Sequence, residues 1–191
     1  PEILKVITEI TLRMIEGMIL ELTRGGAVDL TEEEHLDILK RKTAYLFFGC
    51  AQIGAKLGAV EGEVEQALGE YGMNIGMAFQ VADDLLDFTA DEKTLGKPVL
   101  SDLKEGHVTL PIIYGLQAEP QALSTVQSVI DRGSIDDHSR EKILELVHRN
   151  GCLGKARDVA ESYALSAQTC LEKIPESRYK DALMSLAYYV I

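Results

Sequence analysis

Phe79-Gln80-Val81-Ala82-Asp83-Asp84-Leu85-Leu86-Asp87 sets three carboxylates into an apolar run, which few folds accommodate. Leu85, Leu86 and Phe88 ask for burial, whereas clustered acids repel one another and ask for water or a cation. On a helix, Asp83 and Asp87 lie one turn apart on one face, with Asp84 about 100° round from Asp83 and Gln80 one turn before both. Oxygen-only donors suit Mg²⁺, which keeps several waters and bridges one or two carboxylates to a phosphate. A solvated acidic face is the other reading. On this segment alone both stand, because short acidic motifs recur by chance.

The rest of the chain narrows the fold. Apolar residues recur at helical spacing through 2–22, 31–58, 61–88, 102–117, 121–132, 136–149, 152–173 and 176–190, and no strand alternation or internal repeat is present. The paired Gly25-Gly26 closes the first segment, and Thr31-Glu32-Glu33-Glu34 is a capping box opening the second. Small residues from Gly49 to Ala55 suit a close helix crossing. An all-α fold follows. The aspartates end the 61–88 helix, where acids oppose the macrodipole. Placements that cost stability tend to mark functional sites.

A length of 191 residues predicts one domain over 1–191, with room for a proper core. The net charge of −12 argues against nucleic acid and against an acidic membrane surface. A phosphate-bearing substrate would therefore need local lysines or bridging metal ions. Cys50, Cys152 and Cys170 lack zinc-ligand spacing and read as buried, reduced thiols in a cytoplasmic protein. No apolar stretch is long enough for stable membrane insertion. The chain opens at Pro1 inside a helical pattern, which reads as a cut end rather than a natural start.

Three groups complete a diphosphate-holding inventory. Lys42-Thr43 follows Lys40-Arg41, two charges read as solvated surface. Lys97 stands in a Gly- and Pro-containing loop ten residues past Asp87, within reach of the helix end. Asp102 and His107 flank Glu105-Gly106 just before Thr109-Leu110-Pro111. A lone histidine such as His107 is more often structural than catalytic. Together these residues offer carboxylates for Mg²⁺, lysine point charges and hydrogen-bonding oxygens, the equipment for holding a diphosphate as it leaves.

Lys42-Thr43-Ala44, Gly76-Met77-Ala78-Phe79-Gln80, Asp83-Asp84-Leu85-Leu86-Asp87, Leu95-Gly96-Lys97-Pro98 and Asp102-Leu103-Lys104-Glu105-Gly106 with Thr109-Leu110-Pro111 resemble the trans-polyprenyl diphosphate synthases in order and spacing. The aspartates resemble that family's second aspartate-rich motif. The resemblance implies an all-α prenyltransferase bundle around a central cavity and Mg²⁺-dependent condensation of isopentenyl diphosphate with an allylic prenyl diphosphate. It is nearest to the bacterial hepta- and octaprenyl enzymes of quinone biosynthesis. It implies Asp83 as principal metal ligand with Asp84 and Asp87 in support. Lys42 and Lys97 would sit on the leaving diphosphate, Thr43 and Gln80 would face the developing allylic cation, and His107 would stand where many members carry a phosphate-binding lysine. It also implies a homodimer, with 2–22 and Gly49–Ala55 as candidate surfaces.

One departure is larger. The family's first aspartate-rich motif is not in this sequence: no other DDxxD occurs, and Asp136-Asp137 has no suitably spaced acid after it. The chain resembles the C-terminal half of such an enzyme, and it is expected to be inactive on its own. Two alternatives remain at this stage. One is a non-catalytic subunit of a heteromeric synthase, against which intact Lys42, Gln80, Asp83 and Lys97 argue. The other is a class I terpene cyclase, which pairs its DDxxD with a later Asn/Ser/Glu motif not found here.

Overall fold

In the computed structural model, which describes residues 2–89 and 99–191, every regular element is helical. In chain order these are α1 (Glu2–Arg24), α2 (Glu32–Leu39), α3 (Tyr45–Leu57), α4 (Glu63–Thr89), α5 (Ser101–Lys104), α6 (Leu110–Ala118), α7 (Leu123–Arg132), α8 (Asp137–Arg149), α9 (Cys152–Cys170) and α10 (Arg178–Tyr189). The capping box forms as expected: the Thr31 N–H donates to Glu34 Oε2 at 2.9 Å, and the Glu34 N–H to Thr31 Oγ1 at 3.2 Å.

Two elements differ from the expectation. The single helix expected over 102–117 is broken into α5 and α6, because Gly106 turns left-handed at φ 88° and Pro111 occupies the first turn of α6. And α2 does not run straight into α3. Lys40–Ala44 form a π turn between them, a local widening that is frequent at functional sites. Periodicity alone does not reveal one inserted residue.

The chain divides into two compact units. The first comprises α1 through Leu20 with Leu36–Ala82 and Val159–Ile191; the second comprises Glu21–His35 with Asp83–Asp158.

In the first unit, glycines let helix backbones meet. A Cβ on Gly17 of α1 would stand 2.5 Å from the Lys42 nitrogen, one on Gly72 of α4 2.5 Å from the Phe47 oxygen, and one on Gly76 2.6 Å from the Ala44 Cα. The π turn is thus approached by a glycine of α1 and a glycine of α4. Gly49 receives the Ile10 side chain, so part of the small-residue stretch serves internal packing, whereas Gly54 faces open space. Tyr71, Ile75, Ala167, Leu171 and Ala187 make a buried cluster joining α4, α9 and α10. The Tyr71 hydroxyl donates to the Leu183 oxygen at 2.8 Å, and burial pushes its pKa up to about 12.

In the second unit, α6 is buried from Leu110 to Leu116, and Val126, Val129, Ile143, Leu146 and Val147 are buried on α7 and α8. Asp136 caps α8 by accepting from the Ser139 N–H. Arg149 clasps Glu119 with 2.6 Å contacts to both carboxylate oxygens. Of the three thiols, Cys152 is buried as expected and Cys170 half-buried, but Cys50 is exposed.

Candidate active site

Within the first unit, the π turn presents Lys42 and Thr43, both half-buried, and the Thr43 hydroxyl donates to Gln80 Oε1 on α4 at 2.8 Å. This pair was expected from sequence, and the structure brings it together across 37 residues. Gly76 lies one turn before Gln80 on α4, so the close approach that admits Ala44 also delivers its neighbour Thr43 to Gln80. Arg41, expected as solvated charge, is instead tied to Asp37 at 2.8 Å and Glu16 at 2.9 Å; Lys40 is exposed as expected. Fixing Arg41 on α1 and α2 holds the turn from its outer side. The same unit carries an apolar groove of about 610 Å³ lined by Leu46, Phe47, Cys50, Ile75, Phe79 and Leu186 among others.

The second unit holds the three aspartates in unlike settings. Asp83 is exposed, on the same side of α4 as the exposed Phe79 and Leu86. Asp84 is buried, and its Oδ2 lies 3.0 Å from His35 Nε2. Asp87 is 1% exposed and ties down the start of α5. Its Oδ1 accepts from the Ser101 N–H at 3.0 Å and hydroxyl at 2.8 Å, its Oδ2 from the Asp102 N–H at 3.2 Å, and its main-chain oxygen from the Leu100 N–H. Leu100 there adopts φ 61°, a left-handed conformation that a leucine takes only when held. The carboxylates therefore diverge. Among the described residues no three His, Cys, Asp or Glu side chains are grouped so as to hold a metal ion alone. The rotation of 100° per residue turns Asp84 away from Asp83, whereas Asp87, one turn on from Asp83, is drawn to the start of α5 by the Ser101 and Asp102 donors.

Burial is the main force on the Asp87 carboxyl and pushes its pKa above the usual carboxylate range; the Ser101 and Asp102 donors oppose the rise, and the Asp102 charge adds to it. An acid with a raised folded-state pKa binds protons more tightly folded than unfolded. Its contribution to stability is greatest below that range and declines as pH rises through the folded value. The stability margin of the wild type over Asp87→Asn is therefore expected to be widest near pH 4 and to narrow toward pH 7. Urea unfolding over that range measures it, and a margin that widens with pH would contradict this account.

His107 is half-buried, with Nε2 3.9 Å from Glu21 Oε1, and its N–H donates to the Asp102 oxygen. Gly26 donates to the Gly106 oxygen at 2.8 Å, tying the turn after α1 to the one after α5. Lys97 lies outside the described residues. Sequence reasoning passed over His35, Ser101 and Gly17. Only Gly17 had a visible signal, as a lone glycine inside a helical pattern.

A family model described as polyprenyl synthetase matches residues 1–147. Octaprenyl diphosphate synthase of Escherichia coli (strain K12) is 35% identical over 191 residues, covering 100% of this chain and 59% of that protein. Two solved structures superpose with a TM-score of 0.91. One is a polyprenyl synthase from Caulobacter crescentus complexed with calcium and isoprenyl diphosphate, at 31% identity over 99% of this chain and 58% of that one. The other is heptaprenyl diphosphate synthase from Staphylococcus aureus, at 28% identity over 100% of this chain and 59% of that one. The chain thus spans 59% of the length of the octaprenyl relative. With the family model covering most of its residues and both superpositions agreeing over nearly its whole length, this chain belongs to the polyprenyl synthetase family.

Proposed function

We propose that this chain carries part of the active site of a trans-polyprenyl diphosphate synthase, which joins isopentenyl diphosphate to an allylic diphosphate and makes a medium- or long-chain product for quinone biosynthesis. The observation that carries the reading is the hydrogen bond that brings the Thr43 hydroxyl, beside Lys42, to Gln80 Oε1 on α4. The octaprenyl and heptaprenyl relatives support the product class. The Caulobacter relative supports a divalent cation with a prenyl diphosphate.

Asp83 is the residue best suited to meet Mg²⁺. It is the exposed one of the three aspartates, and one or two carboxylates suit that ion, whose remaining ligands are waters and phosphate oxygens. Bound there, Mg²⁺ would neutralise charge on the departing diphosphate. Lys42 would add a point charge to the same group, with Lys97 assigned to it by resemblance alone. The Thr43 hydroxyl and the Gln80 carbonyl would set oxygen dipoles against the allylic cation, preorganised by their mutual hydrogen bond. Asp84 and Asp87 would support Asp83 by fixing the helix end. His107 is a weaker phosphate contact than a lysine in this reading.

A homodimer is proposed over the exposed apolar face of α1, where Leu4, Ile7, Ile15, Met18 and Leu22 share one side. None of the described helices is long and apolar enough to cross a membrane, which accords with a proposed cytoplasmic location.

Calorimetry with a bisphosphonate, with and without Mg²⁺, tests the reading. Saturable binding that requires Mg²⁺ is expected; no binding in either condition would overturn it. Steady turnover of isopentenyl diphosphate with farnesyl diphosphate is not expected from the 191-residue chain alone, whose sequence holds a single DDxxD.

A further inference from the structure

Four charged side chains gather around the π turn, and none belongs to the set expected to touch a substrate. Arg41, inside the turn, donates through Nε to Asp37 Oδ2 of α2 at 2.8 Å and through Nη1 to Glu16 Oε2 of α1 at 2.9 Å. Glu16 Oε2 also accepts from Arg13 Nη1 at 3.1 Å. The Arg13 guanidinium in turn stands 5.7 Å from the centre of the Tyr45 ring, within reach of a cation–π contact. Tyr45 is the residue at which the turn passes into α3. Arg13, Glu16 and Gly17 are three and four residues apart and share one face of α1. That face meets the turn at three points: the Tyr45 ring, the Arg41 guanidinium and, through Gly17, the Arg41 Cβ and Lys42 nitrogen.

A π turn is a rare winding set between two α-helices that would continue into each other without it. Reverting to α-helical winding would re-aim the side chains it carries, Lys42 and Thr43 among them, at 100° per residue. A planar guanidinium bonded to carboxylates from two different helices resists that change, because both bonds form together in only one arrangement. Lys42 and Thr43 are the next two residues in the chain, and the Thr43 hydroxyl is the one that reaches Gln80.

We propose that Arg41 is a positioning residue for the diphosphate site: clamped by Glu16 and Asp37, it holds the π turn in the winding that aims Lys42 and Thr43. The proposal rests on the functional reading above and adds to it a residue that acts only through its chain neighbours. The four charged side chains are half-buried, and ion pairs this open to water add little to global stability. The glycine contacts and the Thr43–Gln80 bond also remain when Arg41 is replaced. The chain therefore stays folded without the clamp, and what it loses is aim.

The test is calorimetric titration of inorganic pyrophosphate, with and without Mg²⁺, into the 191-residue chain and its Arg41→Met, Glu16→Met, Glu16→Gln and Lys42→Ala variants, with a circular dichroism melt of each. Glu16→Met separates positioning from plain charge. It removes a negative charge beside Arg41, so an arginine that served the anion by attraction would bind it as well or better. An arginine that serves by being clamped binds it less well. Mg²⁺-dependent affinity is expected to fall about 5-fold in both Arg41→Met and Glu16→Met, within the range for coupled residues of one network. It is expected to return to within about 2-fold of wild type in Glu16→Gln, whose amide oxygen still accepts from a guanidinium. Melting temperatures are expected to stay within about 4 °C of wild type.

Unchanged affinity in Arg41→Met, unchanged or higher affinity in Glu16→Met, or equal losses in the two Glu16 variants would overturn the proposal. A larger melting shift in Arg41→Met and Glu16→Met alike would place the role in folding and overturn it too. If Lys42→Ala removes Mg²⁺-dependent binding while Arg41→Met keeps it, only this inference fails. If wild type shows no Mg²⁺-dependent binding, the functional reading fails and takes this inference with it.

Discussion

Asp83→Ala is expected to remove Mg²⁺-dependent bisphosphonate binding almost entirely, by more than about 100-fold, while leaving the fold intact. The magnitude follows from its proposed role: loss of a supporting partner already costs roughly 10–100-fold in metal affinity, and a direct ligand matters more. The silence in stability follows from its position. Asp83 is exposed, and exposed substitutions away from special features usually stay within about 0.5 kcal/mol. For a chain of this size that is a melting shift of no more than about 2 °C. Asp87→Ala is expected to behave the other way. It strips a buried carboxylate from three donors, those of the Ser101 N–H, the Ser101 hydroxyl and the Asp102 N–H, and its first effect is on folding. Calorimetry and thermal melts on the two variants resolve the contrast. Equal effects on binding and stability in both would show that the aspartates act as one cage, against the division of labour proposed here.

Gly76→Ala and Gly17→Ala are expected to be strongly damaging single-methyl changes, and Gly54→Ala to stabilise. The added Cβ at 76 would stand 2.6 Å from the Ala44 Cα and the one at 17 would stand 2.5 Å from the Lys42 nitrogen. Both clashes are with backbone of the π turn, which no side-chain rotation relieves. Overpacking of this kind costs about 1–3 kcal/mol or more, or roughly 2–12 °C in melting temperature. Gly54, on α3, would meet nothing within 4 Å. There the same change only removes chain entropy from the unfolded state and gains about 0.5–1 kcal/mol. Because Lys42 and Thr43 ride on the π turn, the two harmful variants should also weaken Mg²⁺-dependent bisphosphonate binding, although neither glycine touches the site. Melting curves for the three variants check the signs. A stabilising Gly76→Ala would mean that α4 does not approach the turn as closely as described.

The exposed face of α1 and the buried one illustrate how much patterning could say. Ile10 and Gly17 face inward, while Leu4, Ile15 and Leu22 remain open. Their common helical spacing identified the helix but not which apolar side was covered. Periodicity is a property of one segment, whereas burial depends on which other segment arrives. The same limit applies at 102–117. Hydrophobic residues continue through the break, and Gly106 and Pro111 acted together to end one helix and begin another.

At the site, local chemistry and tertiary geometry divided the information cleanly. All-α patterning, the capping box at Thr31, the DDxxD cluster and the Lys42-Thr43 and Gln80 candidates were legible because each depends on residue type at short spacing, through helix periodicity and side-chain donors. Their family order was legible for the same reason. The separate fates of Asp83, Asp84 and Asp87 were not. Whether a carboxylate lies exposed, meets His35 or accepts from Ser101 depends on groups 49 and 14 residues distant, and on the angle at which α4 carries each one past them. Nor did any local pattern announce the π turn, whose one extra residue is stabilised by the glycine-permitted approach of α1 and α4. The amino-acid order named the chemistry. Packing between distant helices gave each acid its surroundings.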